Sequence, residues 1–436
     1  MKGFSKCARL MSVSSAQAQD VISSADKLVE AGRARPYQSI PGPKPLPFLG
    51  NTWRFLPLIG DYEIEHIDKV SEKLYKEYGK IVKLEGLMGR PDMLFVFDPD
   101  NIEQVFRQED ILPHRPSMPS LNYYKHVLRK DFFGEYGGVI AVHGEKWQSF
   151  RSKVNQIMLQ PRVAKMYVSS ISSTAQEFVD RCYMKIPSKL IGFLFVSRIC
   201  MKYINKSLKR NTEDVLENNE ISILQRILRL ENDPKIATIL ALDMFLVGID
   251  TTSNAVASIL YQLAVHPKKQ EKLRKEVFRV LPNISSAVTH EKLEEMVYLK
   301  ACIKETMRMY PVVIGNGRQT SCDTVIAGYH IPKGVQVIFQ HYVISNLEQY
   351  FPRSKEFLPE RWLKSCPFSK EQHPFASLPF GFGKRMCLGR RFADLEMQTA
   401  LAKYKVEYHH EKLDYFVHPM YTPNGPLKLK FIKHGS

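Results

Sequence analysis

The 436-residue chain is 44% hydrophobic, carries a formal net charge of +17 and holds seven cysteines, at positions 7, 182, 200, 302, 322, 366 and 387. That apolar share is enough to bury a large core, and no internal repeat, acidic tail or compositional break divides the body. An odd cysteine count without CxxC spacing argues against a disulfide framework or a zinc site and suits a reducing compartment, while the charge calls for an acidic partner or an anionic surface.

Residues 1–19 contain Lys2, Lys6, Arg9 and four serines with no acid before Asp20. Basic, serine-containing and acid-poor is the profile of a mitochondrial transit peptide, and no apolar run there reaches the length of a membrane-spanning anchor. The stretch Pro41-Gly42-Pro43-Lys44-Pro45-Leu46-Pro47 is a stiff entry into the folded body, so a boundary is expected near residue 40, with 1–40 a transit or disordered segment and 41–436 one domain. Residues 1–40 hold six basic and three acidic side chains, so the remainder still carries +14 of the +17. No nucleic-acid-binding module or aromatic platform accompanies these charges, and nucleic acid is not an expected partner.

Residues 81–97 alternate around Gly89-Arg90-Pro91-Asp92 and predict a hairpin. Trp147 and Arg151 stand four apart on one helical face, presenting an indole N–H beside a guanidinium, both donors suited to a carboxylate. A helical stretch is expected to about Tyr183, a break near Pro187, and an apolar run at 190–196 that reads as core. Asp233-Pro234 reads as N-cap and first position of a helix running to about Val265, with Gly248, Asp250, Thr251 and Thr252 weakening its centre. Glu305 and Arg308 share a helical face before Pro311. Residues 324–343 predict a second hairpin around Pro332-Lys333-Gly334, and Leu427, Leu429 and Phe431 predict a terminal strand with one wet face. The expected fold is mainly α with a small β-sheet region.

The most informative segment is Pro379-Phe380-Gly381-Phe382-Gly383-Lys384-Arg385-Met386-Cys387-Leu388-Gly389-Arg390-Arg391, a glycine-punctuated basic loop entering a helix. Glycines let backbone approach a flat partner, and a helix start stabilises a thiolate. The run from Phe380 to Gly389 resembles the haem-binding loop of the cytochromes P450, where the cysteine ligates iron. Leu246-Val247-Gly248-Ile249-Asp250-Thr251-Thr252-Ser253 is similar to that family's oxygen-binding helix, and Glu305, Arg308 and Pro359-Glu360-Arg361-Trp362 to its buried structural trio.

The resemblance implies the P450 fold and haem b (iron protoporphyrin IX) on Cys387, with Trp147, Arg151, Arg318 and Arg385 at the propionates. Asp250 and Thr251 would serve oxygen activation, and Glu305, Arg308 and Arg361 would brace the cysteine loop. Lys300, Lys304 and the pair Arg390-Arg391 resemble the mitochondrial clan, its insect members in particular, where such residues dock an adrenodoxin-type ferredoxin reduced by a ferredoxin reductase. The implied activity is insertion of one oxygen atom from O2 into a lipophilic steroid or xenobiotic, by an enzyme lying peripherally on the matrix side of the inner mitochondrial membrane.

Two departures matter. Val247 stands where the family has Ala or Gly, and its branched side chain is expected to crowd the distal face. Only 104 positions separate Trp147 from Thr251, so part of the F/G helix roof over the substrate pocket is expected to be missing. The alternative reading is therefore a haem-binding but catalytically deficient variant.

Overall fold

The computed structural model describes residues 33–116, 118–183, 222–231, 233–283, 286–370, 372–402, 405–417 and 420–432. Residues 1–32 of the expected transit segment, the break at Pro187 and the apolar run 190–196 lie outside them.

The N-terminal part of the body is built on a four-stranded sheet. Helix α1 (Ile67–Tyr78) ends at Gly79, whose φ of +89 turns the chain into β1 (Ile81–Leu84). Strand β2 (Met93–Val96) pairs antiparallel with β1 as the hairpin pattern predicts. Asp98 then caps α2 (Pro99–Arg107), accepting from the amides of Asp100 and Asn101. Later in the chain β3 (Asn316–Gln319) pairs antiparallel with β6 (Gln336–Phe339), and β6 lies parallel to β2, giving the order β1-β2-β6-β3. Leu74, Val82, Leu94, Phe97 and Phe339 form the centre of the core around this sheet. Arg35 already bridges to Tyr329, and Tyr37 and Ile40 are buried in that core.

The second expected hairpin needs correction. Its strands are β4 (Thr324–Ile326) and β5 (Tyr329–Ile331), joined at Ala327-Gly328 with φ of +53 and +74. Pro332-Lys333-Gly334 instead leads out of it into β6 in the other sheet. A two-residue turn with both φ values positive matches strand twist, and that geometry outweighs the Pro-Lys-Gly signal.

The rest is helical. Helix α3 (Gly144–Met158) carries Trp147 and Arg151; Pro161 opens a short helix, and α4 spans Val168–Tyr183, so the stretch to Tyr183 is interrupted rather than continuous. Helix α5 (Ile223–Glu231) precedes α6 (Pro234–Val265), capped by Asp233 and started by Pro234 as expected. Helices α7 (Pro267–Val280) and α8 (Val297–Met309) pack with α6 around Ile259, Leu263, Leu299 and Cys302. After the cysteine loop, α9 (Arg390–Leu401) closes this core. The terminal strand is shorter than expected: β10 (Lys430–Ile432) pairs with β7 (Lys405–Glu407), whose three residues leave Leu427 and Leu429 without a ladder partner. Strands β8 (Tyr415–Val417) and β9 (Tyr421–Pro423) make a further hairpin.

Candidate functional site

Helix α6 is buried mainly towards its two ends, through Ile236–Asp243 on one side and Ala255–Leu263 on the other, and among the described residues its middle is less covered. Phe245 is 39% and Ile249 49% exposed, Asp250 is exposed, and a Cβ on Gly248 would meet nothing within 4 Å. The Thr251 hydroxyl donates to the Val247 carbonyl at 2.6 Å, four residues back, while the Ser253 hydroxyl donates to the Ile249 carbonyl at 2.7 Å. Such back-bonding bends helices and leaves the hydroxyl oxygen available to accept another bond. Val247 packs partly into the apolar cluster with Phe150, Ile239 and Leu240. That cluster also contains Leu388, so the residue next to Cys387 lies against the helix that carries Asp250 and Thr251.

The cysteine loop is held by its own turns and by a carboxylate that sequence reasoning missed. Gly381 and Gly383 have φ of +69 and +75, and the Cys387 amide donates to the Phe380 carbonyl at 2.9 Å. Glu109 accepts from the Lys384 amide at 3.2 Å and from Arg318 Nε at 2.7 Å, tying the loop to β3. Lys384 Nζ donates to the Asp110 carbonyl at 2.9 Å. The Cys387 side chain is accessible although protein atoms surround it closely. Burial pushes its thiol up, opposed by the Gly389 N–H and the guanidiniums of Arg151 and Arg115. A coordinating metal ion deprotonates such a thiol outright.

Arg151 and Arg115 act on this sulfur, and Arg318 and Arg385 cluster with them. Arg151 Nη2 donates to the Met386 carbonyl at 2.7 Å, but its Nε has no partner. Arg385 Nε donates to the Pro113 carbonyl at 3.1 Å and Nη2 to the Val142 carbonyl at 2.9 Å; its guanidinium lies 3.7 Å over the Trp147 ring. Trp147 itself is 2% exposed, and its indole Nε1 is buried and unpartnered. Arg318 lies at Glu109, so one expected propionate donor already has a carboxylate on one edge. Arg115 was not singled out by sequence reasoning. It has a buried, unpartnered Nε and interacts electrostatically with Arg318 and Cys387. Burial, then Arg115, Arg318 and Arg151, pull the Arg385 guanidinium down to about 9; burial and Arg115 bring Arg151 to about 10.

Four guanidiniums, of which the described residues pair only Arg318 with a carboxylate, Glu109, make a site that attracts anionic groups. Three orphaned N–H donors, on Trp147, Arg151 and Arg115, call for acceptors. A haem supplies both: two carboxylates for the donors and an iron for the sulfur. The residues present therefore fit that group. Arg115 and Glu109 carried no local signal, since neither lies in a periodic or spaced pattern with its partners.

Between α8 and the segment that precedes the cysteine loop, Glu305, Arg308 and Arg361 are all fully buried. Glu305 accepts from Arg308 Nε (2.9 Å) and Nη2 (2.8 Å), Arg361 Nε (3.0 Å), Trp362 Nε1 (2.9 Å) and the Leu358 amide (3.0 Å). The remaining guanidinium protons reach the carbonyls of Ser345, Ser354, Pro352 and Arg353. On the outer face of α8, Lys304 is exposed with Nζ 5.7 Å from the Trp362 ring, whereas Lys300 is half-buried and paired with Glu294 at 3.0 Å.

Comparison with known proteins agrees with this geometry. The family model described as Cytochrome P450 matches residues 40–232 and 196–431. The chain is 43% identical over 490 aligned positions to "Probable cytochrome P450 49a1" of Drosophila melanogaster, covering 92% of this chain and 83% of that protein. It is 42% identical to "Probable cytochrome P450 301a1, mitochondrial" (92% and 88%) and 32% to "Probable cytochrome P450 12a5, mitochondrial" (92% and 91%), both from the same fly. Since 92% of 436 residues is about 400, about 90 of the 490 aligned positions in the first of these face gaps in this chain. The two family-model stretches overlap at 196–232, inside the interval that is short in sequence.

Proposed function

The chain belongs to the cytochrome P450 family and is a haem b monooxygenase, and we propose that Cys387 is its iron ligand and that Trp147, Arg151, Arg318, Arg385 and Arg115 hold the propionates. The observation that carries this reading is the set of buried, unpartnered N–H donors on Trp147, Arg151 and Arg115 beside an accessible cysteine. Haem with a thiolate ligand supplies O–O bond cleavage when bound. The chain's own residues then have separate tasks. The arginines and the Trp147 indole fix the orientation of the porphyrin plane. The Thr251 hydroxyl accepts and passes a proton at the distal face. Asp250, exposed on the same turn, connects that hydroxyl to solvent. The brace of Glu305, Arg308 and Arg361 sets the height of the cysteine loop. The test is the reduced carbon monoxide complex, which is expected to show the red-shifted Soret band of thiolate ligation. Cys387→Ser is expected to abolish it, and persistence of the band would overturn the assignment.

The finer reading is a mitochondrial enzyme that takes single electrons from an adrenodoxin-type ferredoxin and oxidises a steroid or xenobiotic. Its support is the "mitochondrial" in the names of two relatives and the basic face formed by Lys304, Arg390 and Arg391 beside the cysteine loop. Lys304 is the freer of the two α8 lysines for docking an acidic protein. Exposed Leu46, Phe48, Leu49, Leu58 and Ile59 in the entry segment support a peripheral contact with the inner membrane on the matrix side.

The gap of about 90 positions favours a second reading, haem binding without efficient turnover. A poorly enclosed pocket admits water and loses activated oxygen. Product formed per O2 consumed, with ferredoxin, ferredoxin reductase and a panel of lipophiles, separates the two. A ratio near one supports the monooxygenase, and haem-loaded protein that consumes O2 without product supports the deficient variant.

A further inference from the structure

Lys125 and Asp243 form a buried ion pair that lies outside the groups assigned above. Both are 2% exposed. Lys125 Nζ lies 2.6 Å from Asp243 Oδ1 and donates also to the carbonyls of Gly137 (2.9 Å) and Ile140 (3.3 Å), so each ammonium proton has an acceptor. Asp243 Oδ2 accepts from the amides of Val139 (2.7 Å) and Ile140 (3.4 Å). Gly138, at φ +81, leaves the space its side chain would fill to that carboxylate; a Cβ there would stand 2.2 Å from Oδ2. Lys125 is carried on a π-helical turn, Tyr124–Leu128, a wide turn that rotates side chains out of α-helical register.

Such a pair is a poor source of stability, because desolvating two charges offsets most of their attraction and apolar side chains would pack there more cheaply. Its value lies in the geometry it imposes. It joins three separate segments: the π turn, residues 137–142 and α6, seven residues or two turns before Asp250 on one stripe. Residues 137–142 run directly into the arginine cluster. The Val142 carbonyl accepts from Arg385 Nη2 at 2.9 Å, His143 Nδ1 lies 3.4 Å from the same nitrogen, and Gly144 opens α3, whose Trp147 stacks under Arg385.

We propose that Lys125 and Asp243 are positioning residues that clamp 137–142 as a strap between α6 and the haem cradle, fixing where Arg385 and Trp147 stand. A shift of the strap displaces the Val142 carbonyl and the first turn of α3 together. Helix α6 and the seating of the cofactor are thereby one mechanical unit. The inference rests on the place of Arg385 in the cradle proposed above.

The test uses the haem-loaded full chain and two readouts: the rate of haem transfer to excess apomyoglobin, and amide hydrogen exchange. Asp243→Asn leaves an ammonium without its counter-charge; the double variant Lys125→Met/Asp243→Leu removes both charges and strands neither, so it keeps the test open if the single variant does not fold. In the double variant, exchange at Val139 and Ile140 is expected to rise about 100-fold while α8 amides are unchanged, and haem to leave about tenfold faster. Arg385→Lys is expected to speed haem loss in the natural chain and to add little in the double variant, since coupled residues are non-additive. Native exchange at 139–140, or full additivity of Arg385→Lys, overturns the strap. Unchanged haem loss in Arg385→Lys alone overturns the placement of Arg385 in the cradle, and with it the transmission to haem, whatever the exchange shows.

Discussion

Replacing Glu305 by Gln tests the buried set of Glu305, Arg308 and Arg361 with the smallest change of shape. The carboxylate receives five donors: Oε1 takes Arg308 Nη2, Arg361 Nε and the Leu358 amide, and Oε2 takes Arg308 Nε and Trp362 Nε1. A glutamine oxygen set at the Oε1 position keeps three of them. Its NH2 then faces Arg308 Nε and Trp362 Nε1, leaving two buried donors without acceptors and two guanidiniums without their counter-charge. Removing one member of a buried ionic set costs about 3–5 kcal/mol. A domain has only about 5–15 kcal/mol of stability to lose. The assay is the denaturant midpoint of the haem-loaded protein, followed by the thiolate Soret band and by far-UV circular dichroism. Lys272→Ala, which removes a half-exposed partner of Glu360, is the control and is expected to cost under about 1 kcal/mol. A Glu305→Gln loss no larger than the control would refute the reasoning, since the five bonds would then carry no more than a surface pair.

Trp147→Phe keeps a ring beneath the Arg385 guanidinium but deletes the unpartnered indole N–H, so it is expected to speed haem transfer to apomyoglobin by about tenfold with little change in the denaturant midpoint of the apoprotein; an unchanged transfer rate would remove Trp147 from the cradle. Lys304→Glu is expected to slow reduction by ferredoxin by about tenfold at low ionic strength and to weaken its salt dependence, leaving reduction by dithionite unaltered, as stopped-flow absorbance would show. For Glu360, burial by itself would raise the carboxyl, but hydrogen bonds from Lys269, Lys272 and Tyr298 win and hold it down to about 2 from an ordinary 4.5. A carboxyl lower in the folded state than in the unfolded one stabilises above 4.5 and loses that contribution as pH falls towards 2. The difference in denaturant midpoint between the natural chain and Glu360→Gln should therefore shrink across that window, and a difference independent of pH would contradict it.

The cysteine loop, α6 and the Trp147-Arg151 spacing were legible because each is a local pattern: glycines at fixed offsets, a cap and a proline, two donors one turn apart. Glu305 and Arg308 were legible as a pair for the same reason. What escaped were contacts made across the fold. Glu109 meets Arg318 and Lys384 over 209 and 275 positions, and Lys125 meets Asp243 over 118, with no periodicity linking them. Arg115 stands alone in a loop and becomes notable only when its unpartnered Nε is seen beside the other arginines. The misplaced hairpin failed differently. Alanine at positive φ is rare, so Ala327-Gly328 reads weakly as a turn, and the stronger Pro332-Lys333-Gly334 signal belongs to a connector. The final strand was overextended because alternation in Leu427, Leu429 and Phe431 says nothing about the length of β7 opposite.

Among the described residues α6 is buried mainly through its two ends, so its central side chains contribute less than those ends to the packing that holds it. Exchanging Phe245 or Ile249, both exposed on the helix that carries Thr251, for other apolar groups should alter which substrates are accepted while moving stability by only about 0.5 kcal/mol. Chemical selectivity on this scaffold is therefore free to drift, or to be engineered, independently of the contacts that keep the cysteine loop in place.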